Sequence, residues 1–284
     1  MIIDKLYESV AQKGPICVGL DTKTDYVPDF MKKGSLSDSI FEFNKNIIEL
    51  TKEYTAVYKV QIAYYEAYGI EGLIAFKHTL DYLKKNNLLT IADVKRGDIS
   101  ATAKMYAKAF FTGDFESDFI TLNPYMGYDS IEPYLEYLEN NEKGIFVLLK
   151  TSNPGSKDIE SQKANGEFLY NIVGDNLQQM AQKFMGKCKY SSLALVTGAT
   201  NTKEAVELRK RYSDMFLLIP GYGAQGATGD DALLFLKYKN GGVVNSSRGI
   251  IAKHTDIKDI TKSKFESVIN EAILKMRSDL KVGV

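Results

Sequence analysis

Apolar residues along this chain fall into two alternating patterns. Compact, unbroken apolar runs are each followed by a longer stretch with apolar residues at helical spacing. The compact runs lie at 16–20, 56–63, 88–92, 118–122, 144–149, 193–197, 216–219 and 242–244. The helical stretches lie at 37–54, 69–86, 100–112, 130–139, 167–186, 203–212, 230–237 and 261–278. In the first of these, Ile40, Phe43, Ile47, Ile48 and Leu50 share one broad face. A short helix over 2–12 precedes the first run and is expected to sit as a lid under the first strand.

Unbroken apolar runs are what strands buried on both faces look like, and strands separated by helices imply a parallel sheet covered by helices. Eight such units in 284 residues, without a linker or low-complexity segment, predict an α/β fold. The expected form is one closed (β/α)8 TIM barrel over 1–284 rather than an open doubly wound sheet. No G-x-G-x-x-G turn follows the first strand, which weakens a dinucleotide-binding reading, and the G-x-x-x-x-G-K-[ST] loop is absent.

Active sites of such barrels lie at the C-terminal ends of the strands. Those ends are read as Asp21, Lys59, Asp93 with Lys95, Asn123, Thr151 with Ser152, and Pro220-Gly221 with Asn245. Side chains alternate along a strand, so Asp93 and Lys95 share a face, with Ala92 and Val94 opposite. Lys59 and Gln61 likewise oppose Tyr58 and Val60. Asp98 lies further on, in a glycine-containing loop, and Ser100 is placed to cap the next helix. A buried lysine needs a carboxylate partner, and Asp93 and Asp21 are the natural ones for Lys59. Such a cluster suits proton transfer: the ammonium donates and the carboxylates hold it charged and aimed. The opening window alone, IADVKRGDISAT at 91–102, is equally compatible with a solvated, salt-bridged turn.

Glycine gives the second signal. PGYGAQGATGDD at 220–231 follows strand seven, and NSSRGI at 245–250 follows strand eight. Barrels bind phosphate between these two loops through backbone N–H groups, which glycine lets approach closely. Arg248 adds a fork suited to phosphate. Taken together, these features predict a barrel that binds a phosphorylated small molecule beside a Lys/Asp cluster.

Composition narrows the remaining classes. The 36 basic and 36 acidic residues cancel, which argues against a nucleic-acid binder or a membrane-surface protein. No apolar run reaches the length of a membrane span. The first residues are acidic and amphipathic, unlike a signal sequence. Two cysteines, Cys17 and Cys188, show no metal or redox spacing and suit a reducing cytoplasm. His78 and His254 are the only histidines, which makes a histidine metal site or triad a poor fit.

The same residues resemble a known family. D-x-K-x-x-D at Asp93, Lys95 and Asp98 is similar to the signature of orotidine 5′-phosphate decarboxylases. GLDTK at 19–23, YKVQIAYYEAYG at 58–69, ADVKRGDISATA at 92–103, KTSNPGS at 150–156 and PGYGAQG at 220–226 resemble its longer type 2 subgroup. The resemblance implies cofactor-free conversion of orotidine 5′-monophosphate (OMP) to UMP and CO2 in pyrimidine biosynthesis. It implies that Lys95 protonates C6, that Asp93 lies against the substrate carboxylate, and that Lys59 and Asp98 complete a charge array. Asp98 would come from the other subunit of a homodimer. Asp21 would hold a ribose hydroxyl, Thr151 and Ser152 would meet the pyrimidine, and Gln225 and Arg248 would bind phosphate. Thr102 and Asn123 would be further contacts. The orotate phosphoribosyltransferase domain fused to the enzyme in some organisms has no room here.

Three other readings stay open at this stage. One is a magnesium-dependent phosphosugar enzyme of the same suprafamily, such as a hexulose phosphate synthase. Another is a Schiff-base aldolase using Lys59 or Lys95. The third is a non-catalytic, nucleotide-binding barrel.

Overall fold

The computed structural model describes residues 1–140 and 142–283. Eight parallel strands close into a barrel: β1 (Ile16–Gly19), β2 (Val57–Gln61), β3 (Thr90–Arg96), β4 (Phe119–Leu122), β5 (Gly144–Lys150), β6 (Ser191–Thr197), β7 (Met215–Ile219) and β8 (Gly242–Ser246). They pair in chain order, and β8 returns to β1 with Val244 opposite Ile16. Each strand is followed by a helix, as the alternation predicts; the first is Leu36–Thr51, the last Lys262–Asp279.

The period-2 alternation sorts the strand residues into two cores. Outward residues such as Tyr58, Val60, Ala92 and Val94 pack under the helices. Inward residues such as Val57, Ile91, Phe119, Phe146 and Phe216 fill the barrel. The helix Ile2–Lys13 joins this inner core through Ile2, Ile3, Leu6 and Val10, closing the N-terminal end of the barrel as expected. Charged inward residues, Lys59, Asp93 and Lys95, lie toward the C-terminal ends of β2 and β3.

Several boundaries differ from the sequence reading, each for a local reason. β3 does not stop at Ala92 but runs on to Arg96, because its charged residues turn into the barrel mouth and pair there. Ser100 is not a side-chain cap. It is the first residue of helix Ser100–Phe111 with a positive φ of 43°, and the Asp98 carboxylate instead accepts from the Ile99 N–H. The helix predicted at 230–237 is only Gly229–Leu233; Tyr238 and Lys239, both at positive φ, then form a tight turn closed by Lys237 and Asn240. Within 167–186 the helix is Leu169–Ala181, because Glu167–Phe168 instead forms a small hairpin with Lys163–Ala164. The segment 153–165, between β5 and that helix, carries a helical turn, Ser156–Ile159.

Candidate active site

At the C-terminal end of the barrel four charged residues form an alternating row. Lys59 Nζ lies 2.9 Å from Asp93 Oδ2 and 3.3 Å from Asp21 Oδ1. Lys95 Nζ lies 2.6 Å from Asp93 Oδ1. The order is therefore Asp21, Lys59, Asp93, Lys95. The two central side chains are 5% and 7% exposed, and the terminal Lys95 is 44% exposed. Burial would push the Asp93 carboxyl up, but the ammoniums of Lys59 and Lys95 outweigh it and hold it well below the usual carboxylate range. Burial likewise opposes the charge on Lys59, and Asp21 and Asp93 outweigh that, raising its pKa. Lys59 is thus locked between two carboxylates, while Lys95 reaches the open cavity.

That cavity has a volume of about 370 Å³. It brings together Asp21, Lys59, Asp93 and Lys95 with Thr151, Ser152, Gln225 and Arg248. Eight of the residues singled out in the sequence therefore share one mouth. Asp98, Thr102 and Asn123 do not line it. Asp98 and Thr102 lie outside it, and among the described residues Asp98 makes no ion pair within this chain. Asn123 lines a neighbouring, mostly apolar cavity that Lys95 also borders. There its side chain accepts from the Tyr125 N–H at 3.0 Å.

The loops after the neighbouring strands β7 and β8 both line the cavity. Gly221 has φ 108°, a conformation that favours glycine, and a Cβ there would sit 3.0 Å from the Gln225 side-chain oxygen. Glycine is what lets this backbone pass close to the Gln225 amide. The Arg248 guanidinium starts a four-residue helix, Arg248–Ile251, directly after β8. On the opposite side Thr151 is tied down. Its N–H donates to Glu160 at 2.9 Å, and its hydroxyl lies 2.7 Å from the other Glu160 oxygen. The segment after β5 is thereby anchored to the cavity edge.

Asp21 is held from both neighbours. Tyr65 donates its hydroxyl to the Leu20 carbonyl at 3.0 Å, and Thr22 donates to Asn44 Oδ1 at 2.6 Å. The Asn44 amide then donates to Tyr65 and Thr79, so this buried network satisfies its own polar groups. Cys17, under the row, is a fully buried core residue, and burial pushes its thiol pKa up.

Sequence reasoning did not single out Thr121, Glu160, Asn44 or Ser247 as site residues. Thr121 donates to Asp93 Oδ1 at 2.8 Å. Ser247 lines the cavity with a buried hydroxyl that has no partner among the described residues. Gln61 also lines it, and its position two residues after Lys59, on the same face, was the available signal.

A sequence model of the orotidine 5′-phosphate decarboxylase / HUMPS family matches residues 14–262. The chain is 54% identical to an orotidine 5′-phosphate decarboxylase of Petrotoga mobilis, covering 99% of this chain and 98% of that one. Among solved structures it resembles OMP decarboxylase of Leishmania donovani, with TM-score 0.77, 27% identity and 99% of each chain covered. It also resembles UMP synthase of Leishmania donovani, with TM-score 0.78 and 29% identity, where 99% of this chain spans 56% of that one.

Proposed function

The chain belongs to the orotidine 5′-phosphate decarboxylase / HUMPS family and is a carboxy-lyase that converts OMP to UMP and CO2, and from that premise we propose that Lys95 supplies the proton to pyrimidine C6. The observation that carries this reading is the row Asp21–Lys59–Asp93–Lys95. Of its two ammoniums, Lys95 is the exposed one, at 44% against 5% for Lys59, which is held between two carboxylates.

In the proposed step the bond from C6 to the carboxylate breaks and its electron pair stays on C6. The ring offers no adjacent electron sink for that pair. A cation held in place beforehand stabilises it without reorganisation, and Lys95 then transfers a proton to C6 as CO2 leaves. Asp93 aims Lys95 and lies where the substrate carboxylate would approach. Repulsion there would relax as CO2 departs. Lys59 keeps Asp93 ionised. Asp21 holds a ribose hydroxyl, and Thr151 and Ser152 meet the pyrimidine. Gln225 and Arg248 grip the phosphate, whose binding energy is spent on holding the reactive geometry far from C6.

Asp98 and Thr102 act in the partner's cavity of a homodimer in this reading. Supporting it, Ile99 and Met105 beside them are 51% and 64% exposed, and Tyr125 and Met126 on the adjoining loop are 77% and 49% exposed. Apolar side chains gathered around a charged loop suit an interface that buries them. The KTSNPGS and PGYGAQG segments support placement in the type 2 subgroup. The two free cysteines suit the cytoplasm. Zero net charge supports a small-molecule partner rather than nucleic acid or a membrane, and among the described residues no helix is long and apolar enough to cross a bilayer.

The test is to incubate the protein with OMP and excess EDTA and to follow loss of the orotate chromophore. Turnover is expected without added metal. No turnover would reject the reading, and turnover only with magnesium would favour the phosphosugar branch of the family.

A further inference from the structure

Between β3 and β4 the ladder is irregular. Ala92 faces Ile120 and Arg96 faces Leu122, so four steps along β3 are matched by two along β4. The surplus residues bulge toward the mouth, and the bulge contains Lys95 with a positive φ of 42°. That conformation is disfavoured for a side chain such as lysine and persists only where its surroundings enforce it. The N–H groups of Val94 and Lys95 have left the ladder, and both donate to the Thr121 hydroxyl, at 2.9 and 2.8 Å. The same hydroxyl donates its one proton to Asp93 Oδ1 at 2.8 Å. Thr121 is 1% exposed. A hydroxyl has one donor and two acceptor sites, and here all three are used.

We propose that Thr121 is a positioning residue, whose hydroxyl holds the bulge that turns Lys95 into the cavity and fixes the Asp93 oxygen against which Lys95 is aimed. This rests on the reading of Lys95 as proton donor, but the geometric claim stands apart from it. Thr121, on β4, borders the cavity, but it is 1% exposed and all three sites of its hydroxyl are taken within the protein, which leaves none for substrate. Its effect should therefore fall on the chemical step rather than on binding, which the phosphate contacts of the loops after β7 and β8 dominate in the proposed reading. Valine keeps the shape and removes all three bonds. Serine keeps all three and loses only a methyl group.

The experiment compares Thr121→Val and Thr121→Ser with the wild type in OMP turnover. Thr121→Val should lower kcat by about tenfold or more, the scale of a lost hydrogen bond to a charged group, and change KM for OMP by less than about threefold. Thr121→Ser should restore kcat to within about threefold of wild type. Equal losses in valine and serine, or an unchanged kcat in valine, would overturn the proposal. If valine does not yield folded protein, Thr121→Ala makes the same comparison, because it leaves room for water to satisfy the two N–H groups. A crystal structure of the valine or alanine variant reads the position directly, whatever the substrate proves to be. Lys95 is expected to leave the positive-φ region and its contact with Asp93. Retention of both would overturn the proposal without touching the decarboxylase reading, whereas a wild type inactive on OMP would reject that reading and leave this structural result to decide.

Discussion

Lys59 and Asp93 form an ion pair 2.9 Å long in which neither side chain is more than 7% exposed. Breaking such a pair strands a buried charge, so Lys59→Met should lower unfolding stability by about 3 kcal/mol at neutral pH. The sign with pH follows from the two shifts. Asp93 is depressed, so its contribution is full above about pH 4 and is lost as pH falls through its lowered value. Lys59 is raised, so its contribution is full below about pH 10.4 and is lost as pH rises through its elevated value. Urea unfolding from acid to neutral pH checks this. The variant should also unfold at a less acid pH, because Asp93 has lost one of its two ammoniums.

Lys95 is partly exposed, so Lys95→Ala should abolish nearly all kcat with little loss of stability. Asp98→Ala should also be inactive, and the pair tests whether sites are shared. A hybrid dimer of the two variants puts both lesions in one site and leaves the other intact. With random mixing in equal amounts, roughly a quarter of all sites should regain wild-type chemistry. Differently tagged subunits that co-purify verify the mixing. Verified hybrids without recovered activity would place Asp98 in its own subunit's chemistry.

Arg248 and Gln225 lie on the neighbouring loops after β8 and β7, and both line the cavity. Arg248→Ala should cut kcat/KM for OMP by about a hundredfold, as expected for a charge-assisted contact to phosphate, and leave turnover of the phosphate-free nucleoside nearly unchanged. Steady-state kinetics on both substrates is the measurement. Equal losses on the two would assign Arg248 a structural role.

His254 offers a pH-dependent stability outside the site. Its Nε2 donates to the Tyr26 carbonyl at 2.8 Å, and its ring packs against Phe265 with centroids 4.8 Å apart. Burial pushes its pKa down. Below about pH 6.5 the unfolded chain therefore binds a proton that the folded chain refuses, and stability falls as pH falls. Wild type should lose up to about 1.4 kcal/mol per pH unit more than His254→Gln between pH 6.5 and 5. Parallel pH profiles of the two proteins in urea would show that His254 is not the group responsible.

The barrel was legible because strands buried on both faces leave unbroken apolar runs; Lys59 stood out as a charge inside such a run, and Asp93 as a charge directly after one. Glycine at the two positions where barrels use it made legible that the loops after β7 and β8 border the cavity. What holds the site in shape was not legible. Thr121 sits in FITL, where a β-branched residue is an ordinary strand former, and only the irregular register gives its hydroxyl three partners. Asn44 reads as one polar residue of an amphipathic helix, and its partners Thr22, Tyr65 and Thr79 come from three other segments. Ser100 carried a capping signature that the positive φ at that position overrode. Side-chain identity reveals a charge in an apolar strand, whereas a bulge depends on the register between two strands far apart in the chain.

The helix Ile2–Lys13 also governs traffic. With Ile2, Ile3, Leu6 and Val10 joined to the inner core, the described residues pack the floor of the barrel. In the proposed mechanism OMP, UMP, CO2 and the water that reprotonates Lys95 all pass through the mouth above the charged row. Any segment that shuts this doorway over bound nucleotide also traps the gas made beneath it. The departure of CO2 is then tied to the opening that lets UMP go, and a slower doorway would slow turnover with the chemistry of Lys95 unchanged.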